Sequence, residues 1–315
     1  MKIVLLDSAT LGDDLDLSPL SKYGEVVSYP STAPELIKER LEGADVVLVN
    51  KVKLNESTVG DNATLKLICI AATGFDNVDL DFMKEKGIGV CNVVGYSTDS
   101  VAQLTVSMVL SLATHLPEYN AFVESGEYSR GSVANKLTPV YHEIAGKTWG
   151  IVGLGNIGKK VAAVAEAFGC KVIANKRTPI DGYNCTDIDT LCRESDIITI
   201  HTPLNDGTRN LINEERIAKM KPDAIVVNVA RGAVCDEKAL CNAVKEGKLG
   251  GIGVDVYTAE PFREDSPYFE VRNMQSVCLT PHMAWGSKEA RERCLRDMMA
   301  SIDSFLIGEK RSRLV

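Results

Sequence analysis

The sequence predicts an α/β protein of two doubly wound, parallel-sheet domains, one inserted into the other. Three observations lead there. Short runs rich in Val and Ile alternate with helical patterns along the chain, and near-continuous apolar strands separated by helices belong to a parallel sheet covered on both faces. Two long helical segments, residues 99–116 and 287–305, bracket a complete strand–helix series. The length, 315 residues, suits two domains of ordinary size. Residues 1–99 with 287–315 are therefore expected to form one domain, and residues 100–286 the other.

The chain opens on MKIVLLDSAT, with a first strand at 3–6. That apolar run is too short for the core of a signal peptide. Strands follow at 46–49 and 67–71. Residues 99–116 (DSVAQLTVSMVLSLATHL) hold neither Pro nor Gly and stop before Pro117, as a helix does. Residues 118–144 are polar, contain Gly126, Gly131 and Pro139, and read as an irregular connecting arm or a dimer-contact loop. Further strands are expected at 148–153, 171–174, 197–200, 224–228, 251–254 and 277–279. The last helix opens on Ser287, a capping residue type, with Glu289 in its first turn.

Composition narrows the function. Lys and Arg total 35 against 43 Asp and Glu, a net charge of −8, which argues against binding a phosphate backbone or an anionic lipid surface. No apolar run approaches the ~18 residues of a membrane span. The nine cysteines are scattered, odd in number and without a CxxC pair, as in a reduced cytoplasmic protein with neither a disulfide framework nor a zinc site. No HxxH or HExxH pair occurs, so no metal is expected.

The first chemical motif is Gly153-Leu154-Gly155-Asn156-Ile157-Gly158. It follows the apolar strand WGIVG, opens the helix KKVAAVAEAF, and is succeeded by the strand KVIAN. That is the full strand–helix–strand context of a dinucleotide fingerprint. Gly153 permits the tight turn, Gly155 lets the backbone approach a diphosphate, and Gly158 lets helix pack on strand. The anion would rest on free N–H groups at the helix start. The acid that usually binds the ribose hydroxyls is absent. Lys176 and Arg177 stand there instead, and two cations suit the 2′-phosphate of NADP. The cofactor is thus NADP or NAD.

Three further residues lie at the end of a strand or just after one. Arg231 follows AIVVNVA, Glu260 follows GIGVDVYTA, and His282 follows VCLTP. Positions just past the carboxyl ends of parallel strands face a ligand crevice. A guanidinium can hold a 2-oxo acid through two parallel hydrogen bonds. An imidazole can pass a proton near neutral pH, and a carboxylate beside it fixes its tautomer. His201 ends the strand DIITIH and lies near the expected cofactor crevice. Trp285, three residues past His282, offers an aromatic pocket wall that would favour two- and three-carbon acids.

With these residues in place, the chain resembles the D-isomer-specific 2-hydroxyacid dehydrogenases over nearly its whole length. The matching segments are AATGFDNVD, VVGYSTDSVAQ, WGIVGLGNIG, HTPLNDGTRNLI, NVARGAVCDEKAL, GVDVYTAEP and LTPHMAW. Asn50-Lys51, YSTDSVAQ and HMAWGSKEAR look most like glycerate dehydrogenases, also called hydroxypyruvate reductases. The resemblance implies two Rossmann-like domains and catalysis by Arg231, Glu260 and His282. It places the substrate on Asn50, Thr73 and Gly74. It places the cofactor on Gly155, Asn156, Ile157, Thr202, Pro203, Ala230 and Asp255. It also implies a homodimer acting on a small 2-oxo or 2-hydroxy acid, with hydroxypyruvate and glyoxylate first. Phosphoglycerate dehydrogenases are similar, but the stretch after His282 is too short for the regulatory domain of the long forms. Formate dehydrogenases pair the His with Gln, whereas this chain has Glu260. A nucleotide-sensing corepressor is the reading from another class, and the acidic charge speaks against it.

Overall fold

Eleven strands form two sheets in which every strand pairing is parallel. The computed structural model describes residues 1–315 and divides into two units, Met1–Ser97 with Gly286–Val315, and Thr98–Trp285. In the first unit, β1 (Lys2–Leu5), β2 (Glu25–Ser28), β3 (Val46–Val49), β4 (Leu67–Ile70) and β5 (Gly89–Cys91) lie in the order β2-β1-β3-β4-β5. In the second, β6 (Thr148–Val152), β7 (Lys171–Asn175), β8 (Ile197–Ile200), β9 (Ile225–Asn228), β10 (Gly251–Val254) and β11 (Val277–Leu279) lie in the order β11-β10-β9-β8-β6-β7. Strand order reverses between β1 and β3 in one sheet and between β6 and β8 in the other. Such reversals open a crevice at the carboxyl ends of the strands, where ligands of doubly wound folds bind.

The sequence explains the central strands directly. VVLV in β3, LICI in β4 and IITI in β8 are buried at every position, because helices cover both faces. Each fully buried side chain of this kind contributes about 1.5–3 kcal/mol. Trp149 in β6 is fully buried, and its indole N–H donates to Thr199 Oγ1 at 3.0 Å, so neither polar group is stranded. The helix Asn156–Ala167 buries Gly158, Val161, Ala162 and Ala165, one face at helical spacing. The helix Thr98–Thr114 packs on β9, β10 and β11 of the second unit, and Lys288–Leu306 packs on β4 of the first.

Three features depart from expectation. β2 and β5 were not anticipated. β2 is EVVS on a half-exposed edge and β5 is the three-residue GVC, too short or too polar for an apolar run to stand out. Residues 118–144 are not wholly irregular. His115 adopts φ 52° and breaks the long helix, and a new helix, Leu116–Glu124, starts at once with Pro117 in its first turn, where a missing N–H costs nothing. A short helix, Glu127–Arg130, follows. The chain's last residues also pair antiparallel to β5. Leu314 N–H donates to Val90 O at 2.8 Å and Asn92 N–H to Ser312 O at 3.3 Å, which covers an otherwise open sheet edge. No helix is long and apolar enough to cross a membrane, and the nine cysteines are all free thiols, seven of them buried.

Candidate active site

Gly153, directly after β6, has φ 97°, a conformation that side chains disfavour. A β-carbon there would press on the backbone of His201 and Thr202 at the end of β8. The two strands flanking the reversal thus approach as closely as backbones can. A β-carbon on Gly158 would run into the Gly153 carbonyl, whereas one on Gly155 would meet nothing within 4 Å. Gly155 caps the helix Asn156–Ala167 with no side-chain hydrogen bond and no acid in the first turn. The turn therefore offers open space and uncapped N–H groups at a helix start, a fit for a diphosphate. Both ring nitrogens of His201 are enclosed without a protein partner, and burial holds its pKa down to about 3. Neutral polar atoms left in this way beside the turn also fit a polar ligand. Thr202 and Pro203 continue from His201 along the same edge. At the tip of β7, Lys176 reaches back so that Nζ donates to Leu154 O at 3.3 Å, while Arg177 is exposed.

The loops after β9, β10 and β11 carry Ala230-Arg231, Glu260 and His282. Asn228, the last residue of β9 and 1% exposed, ties the first of them. Its Oδ1 accepts from Ala230 N–H at 3.0 Å and its Nδ2 donates to Arg231 O at 2.9 Å. Arg231 Nη1 donates to Ala230 O at 2.9 Å. A side chain on the next residue, Gly232, would collide with the Tyr257–Thr258 backbone, so this turn is pressed against the loop that bears Glu260. One oxygen of Glu260 accepts from Tyr257 N–H at 3.0 Å. The other lies 2.6 Å from His282 Nδ1, with the two side chains 22% (His282) and 30% (Glu260) exposed. That contact makes Nδ1 the protonated nitrogen in the neutral ring and leaves Nε2 to define the ring's acid–base face.

His282 itself has φ 52°, a strained setting for a residue with a β-carbon. Asp255, which the resemblance gives to the cofactor, is buried with both oxygens engaged and holds it there instead. Its carboxylate, 1% exposed, accepts from Thr280 Oγ1 at 2.6 Å, Met283 N–H at 2.8 Å and Ala284 N–H at 3.0 Å. Burial pushes the Asp255 carboxyl above its ordinary range, against these hydrogen bonds and the nearby His282. Tyr257 OH donates to Thr280 O at 2.8 Å and Glu237 accepts from Thr258 N–H at 2.7 Å. Arg231, Glu260 and His282 thus stand on three neighbouring, cross-tied loops of one sheet edge. Trp285 is half-buried and packs against the apolar core of its own unit, the packing of a core residue.

In the first unit, Asn50 follows β3, and Thr73 and Gly74 follow β4. Asn50 is 6% exposed and its Nδ2 donates to Thr10 Oγ1 at 3.0 Å. Thr73 Oγ1 donates to Val93 O at 2.8 Å, and Asn92 Nδ2 donates to Thr73 O at 2.7 Å. The residues that tie the loops, namely Asp7, Asn77, Asn92, Asn228, Tyr257 and Glu237, escape a sequence reading. Their partners lie far along the chain or on backbone atoms, and the visible signal is only a polar residue at the end of an apolar strand, as at Asp7 and Asn228.

Comparison with known proteins agrees with this geometry. The sequence profile described as "D-isomer specific 2-hydroxyacid dehydrogenase, NAD binding domain" matches residues 106–284. A glycerate dehydrogenase of Methylorubrum extorquens is 37% identical over 309 residues, covering 98% of this chain and 97% of that protein. The D-lactate dehydrogenase of Aquifex aeolicus, solved with NAD and lactic acid, superposes with a TM-score of 0.85 at 30% identity, covering 98% of this chain and 96% of that one. An acyclic imino acid reductase solved with NADPH and D-Arg gives a TM-score of 0.86 at 29% identity over the full length of both chains. With the glycine turn, the grouping of Arg231, Glu260 and His282 and these likenesses together, the chain belongs to the D-isomer specific 2-hydroxyacid dehydrogenase family and is a nicotinamide-dependent oxidoreductase.

Proposed function

We propose that the protein reduces short 2-oxo acids to D-2-hydroxy acids, with hydroxypyruvate to D-glycerate and glyoxylate to glycolate as its preferred reactions. The observation that carries this reading is the 2.6 Å pairing of His282 Nδ1 with Glu260, on a sheet edge that also presents Arg231. The likeness to a glycerate dehydrogenase over nearly the whole of both chains supports the substrate class.

Arg231 binds the substrate carboxylate and orients the carbonyl through its planar fork. Asn50, Thr73 and Gly74 of the first unit are the residues that the family resemblance assigns to the substrate. Protonated His282 delivers a proton from Nε2 to the carbonyl oxygen as it becomes an alkoxide. Glu260 stabilises the imidazolium and fixes its orientation. Asp255 and the strained backbone at His282 keep the donor in place. Gly153, Gly155, Asn156, Ile157, Gly158, Thr202, Pro203 and Ala230 hold the dinucleotide, with Lys176 and Arg177 beside the 2′-position. When bound, the reduced nicotinamide supplies the hydride that adds to the carbonyl carbon, leaving NAD(P)+ and neutral His282.

The protein acts as a homodimer in the cytoplasm. Leu116, Val123, Val133, Leu137 and Val140 are each more than half exposed within one short stretch, and a concentration of exposed apolar groups of this kind suits a protein partner, here a second copy.

His282→Gln tests the reading. Turnover of hydroxypyruvate should fall at least ~100-fold while nucleotide affinity stays near the parent value, and the parent should yield D-glycerate on chiral chromatography. A variant keeping a tenth of the parent rate, or an L-glycerate product, would contradict it.

A further inference from the structure

Residues 50–52 lie just past β3 and outside regular secondary structure, yet side chains serve most of their backbone polar groups. The carboxylate of Asp7, two residues past β1, accepts from Asn50 N–H at 2.9 and 3.1 Å, Lys51 N–H at 2.6 Å and Val52 N–H at 3.0 Å. The carbonyls of the same stretch are served from the other side. Asn77 Nδ2 donates to Val52 O at 3.0 Å and to Asn50 O at 3.4 Å. Asp7 is 6% exposed, and burying a carboxylate is costly unless it accepts hydrogen bonds. Three consecutive N–H groups turned to one carboxylate fix the backbone of this stretch more tightly than a loop would fix itself. Asn77 belongs to the loop after β4 that also carries Thr73 and Gly74, so the two loops are tied into one platform. That platform stands where strand order reverses between β1 and β3, the place at which doubly wound sheets bind ligands.

We infer that Asp7, seconded by Asn77, is a positioning residue that sets the substrate-binding platform of the first unit, and that it governs affinity for the 2-oxo acid without touching it. This rests on the function proposed above. An isosteric Asn at position 7 offers one acceptor oxygen and one NH2, so it opposes a donor to backbone donors and cannot serve all three. The stretch must then shift, carrying Asn50 and Lys51 with it. A residue that merely supported the fold would lower thermal stability and the fraction of active protein, and would leave KM unchanged.

The test is the steady-state kinetics of Asp7→Asn and Asn77→Ala on hydroxypyruvate, with nucleotide affinity and melting temperature measured on the same samples. The expected result is a rise in KM of about tenfold for Asp7→Asn and about threefold for Asn77→Ala, the loss of one or part of one net hydrogen bond in each case. Nucleotide affinity should remain within about twofold, because the glycine turn belongs to the other unit. If Asp7→Asn does not fold, Asn77→Ala decides alone. An unchanged KM in folded variants of an active enzyme overturns this inference only. A parent protein that turns over neither hydroxypyruvate nor glyoxylate overturns it together with the proposed function.

Discussion

His282 holds a left-handed backbone at φ 52°, a conformation that costs a non-glycine residue on the order of 1–3 kcal/mol. Three hydrogen bonds to Asp255 from Thr280, Met283 and Ala284 offset it. The loop is thus tied down by its own groups, with Glu260 seated on Nδ1. His201, beside the glycine turn, shows the opposite economy. Burial keeps its ring neutral down to about 3, against an ordinary value of 6.5. The unfolded chain therefore binds a proton that the folded chain refuses between those limits, and stability falls as pH drops below 6.5. His201→Gln should flatten the decline in melting temperature of the nucleotide-free protein between pH 7 and pH 5. Equal slopes for parent and variant would show that His201 does not contribute. Arg231, Glu260 and His282 stand out in the sequence because each lies in the loop that follows an apolar strand. Asp7, Asn77 and Asn228 do not, because their value lies in backbone groups that only the folded chain brings to them.

At the scale of elements, the glycine turn separates two uses of the same residue type. Gly158 is needed by the fold, since a β-carbon there meets the Gly153 carbonyl, and Gly155 is surrounded by open space. Gly155 has φ −88° and ψ −160°, which any residue adopts. Gly155→Val should therefore melt within a few degrees of the parent and lose nucleotide affinity by about tenfold or more, because the side chain fills the space left for the diphosphate. Gly158→Ala should lose thermal stability first. Equal melting temperatures for the two variants, or full nucleotide affinity in Gly155→Val, would refute the division. The strands most legible beforehand, β3, β4, β8 and β9, are those buried on both faces, where the apolar run is continuous. β2 was hidden by its polar, half-exposed edge position and β5 by having only three residues. The helix Leu116–Glu124 was hidden by Pro117, which ends a helix when read from one side and begins one when read from the other.

For the whole molecule, the proposed choice of nucleotide rests on the tip of β7. Lys176, half-buried at the tip of β7, stands where an acid would repel a 2′-phosphate, and Arg177 is exposed beside it. A charge-assisted hydrogen bond contributes about 1.5–3 kcal/mol, and exposure reduces this toward ~1 kcal/mol. The enzyme should use NADPH at least as well as NADH, Lys176→Asp should restore a preference for NADH, and the NADPH advantage should shrink as salt screens the pair. A kcat/KM for NADH tenfold above that for NADPH at low salt would show the two cations to be a solvated surface pair. The two doubly wound sheets and the insertion of one chain segment within another were legible because long helices mark both crossings, and the ties between the loops after the strands were not. The central claim therefore meets its most direct test in a matrix of initial rates with hydroxypyruvate, glyoxylate, pyruvate and 2-oxoisocaproate, each with NADH and NADPH. Hydroxypyruvate should give the highest kcat/KM, glyoxylate should follow, and branched 2-oxoisocaproate should rank last. A protein that binds nucleotide yet turns over none of the four, or that prefers 2-oxoisocaproate, would contradict the assignment.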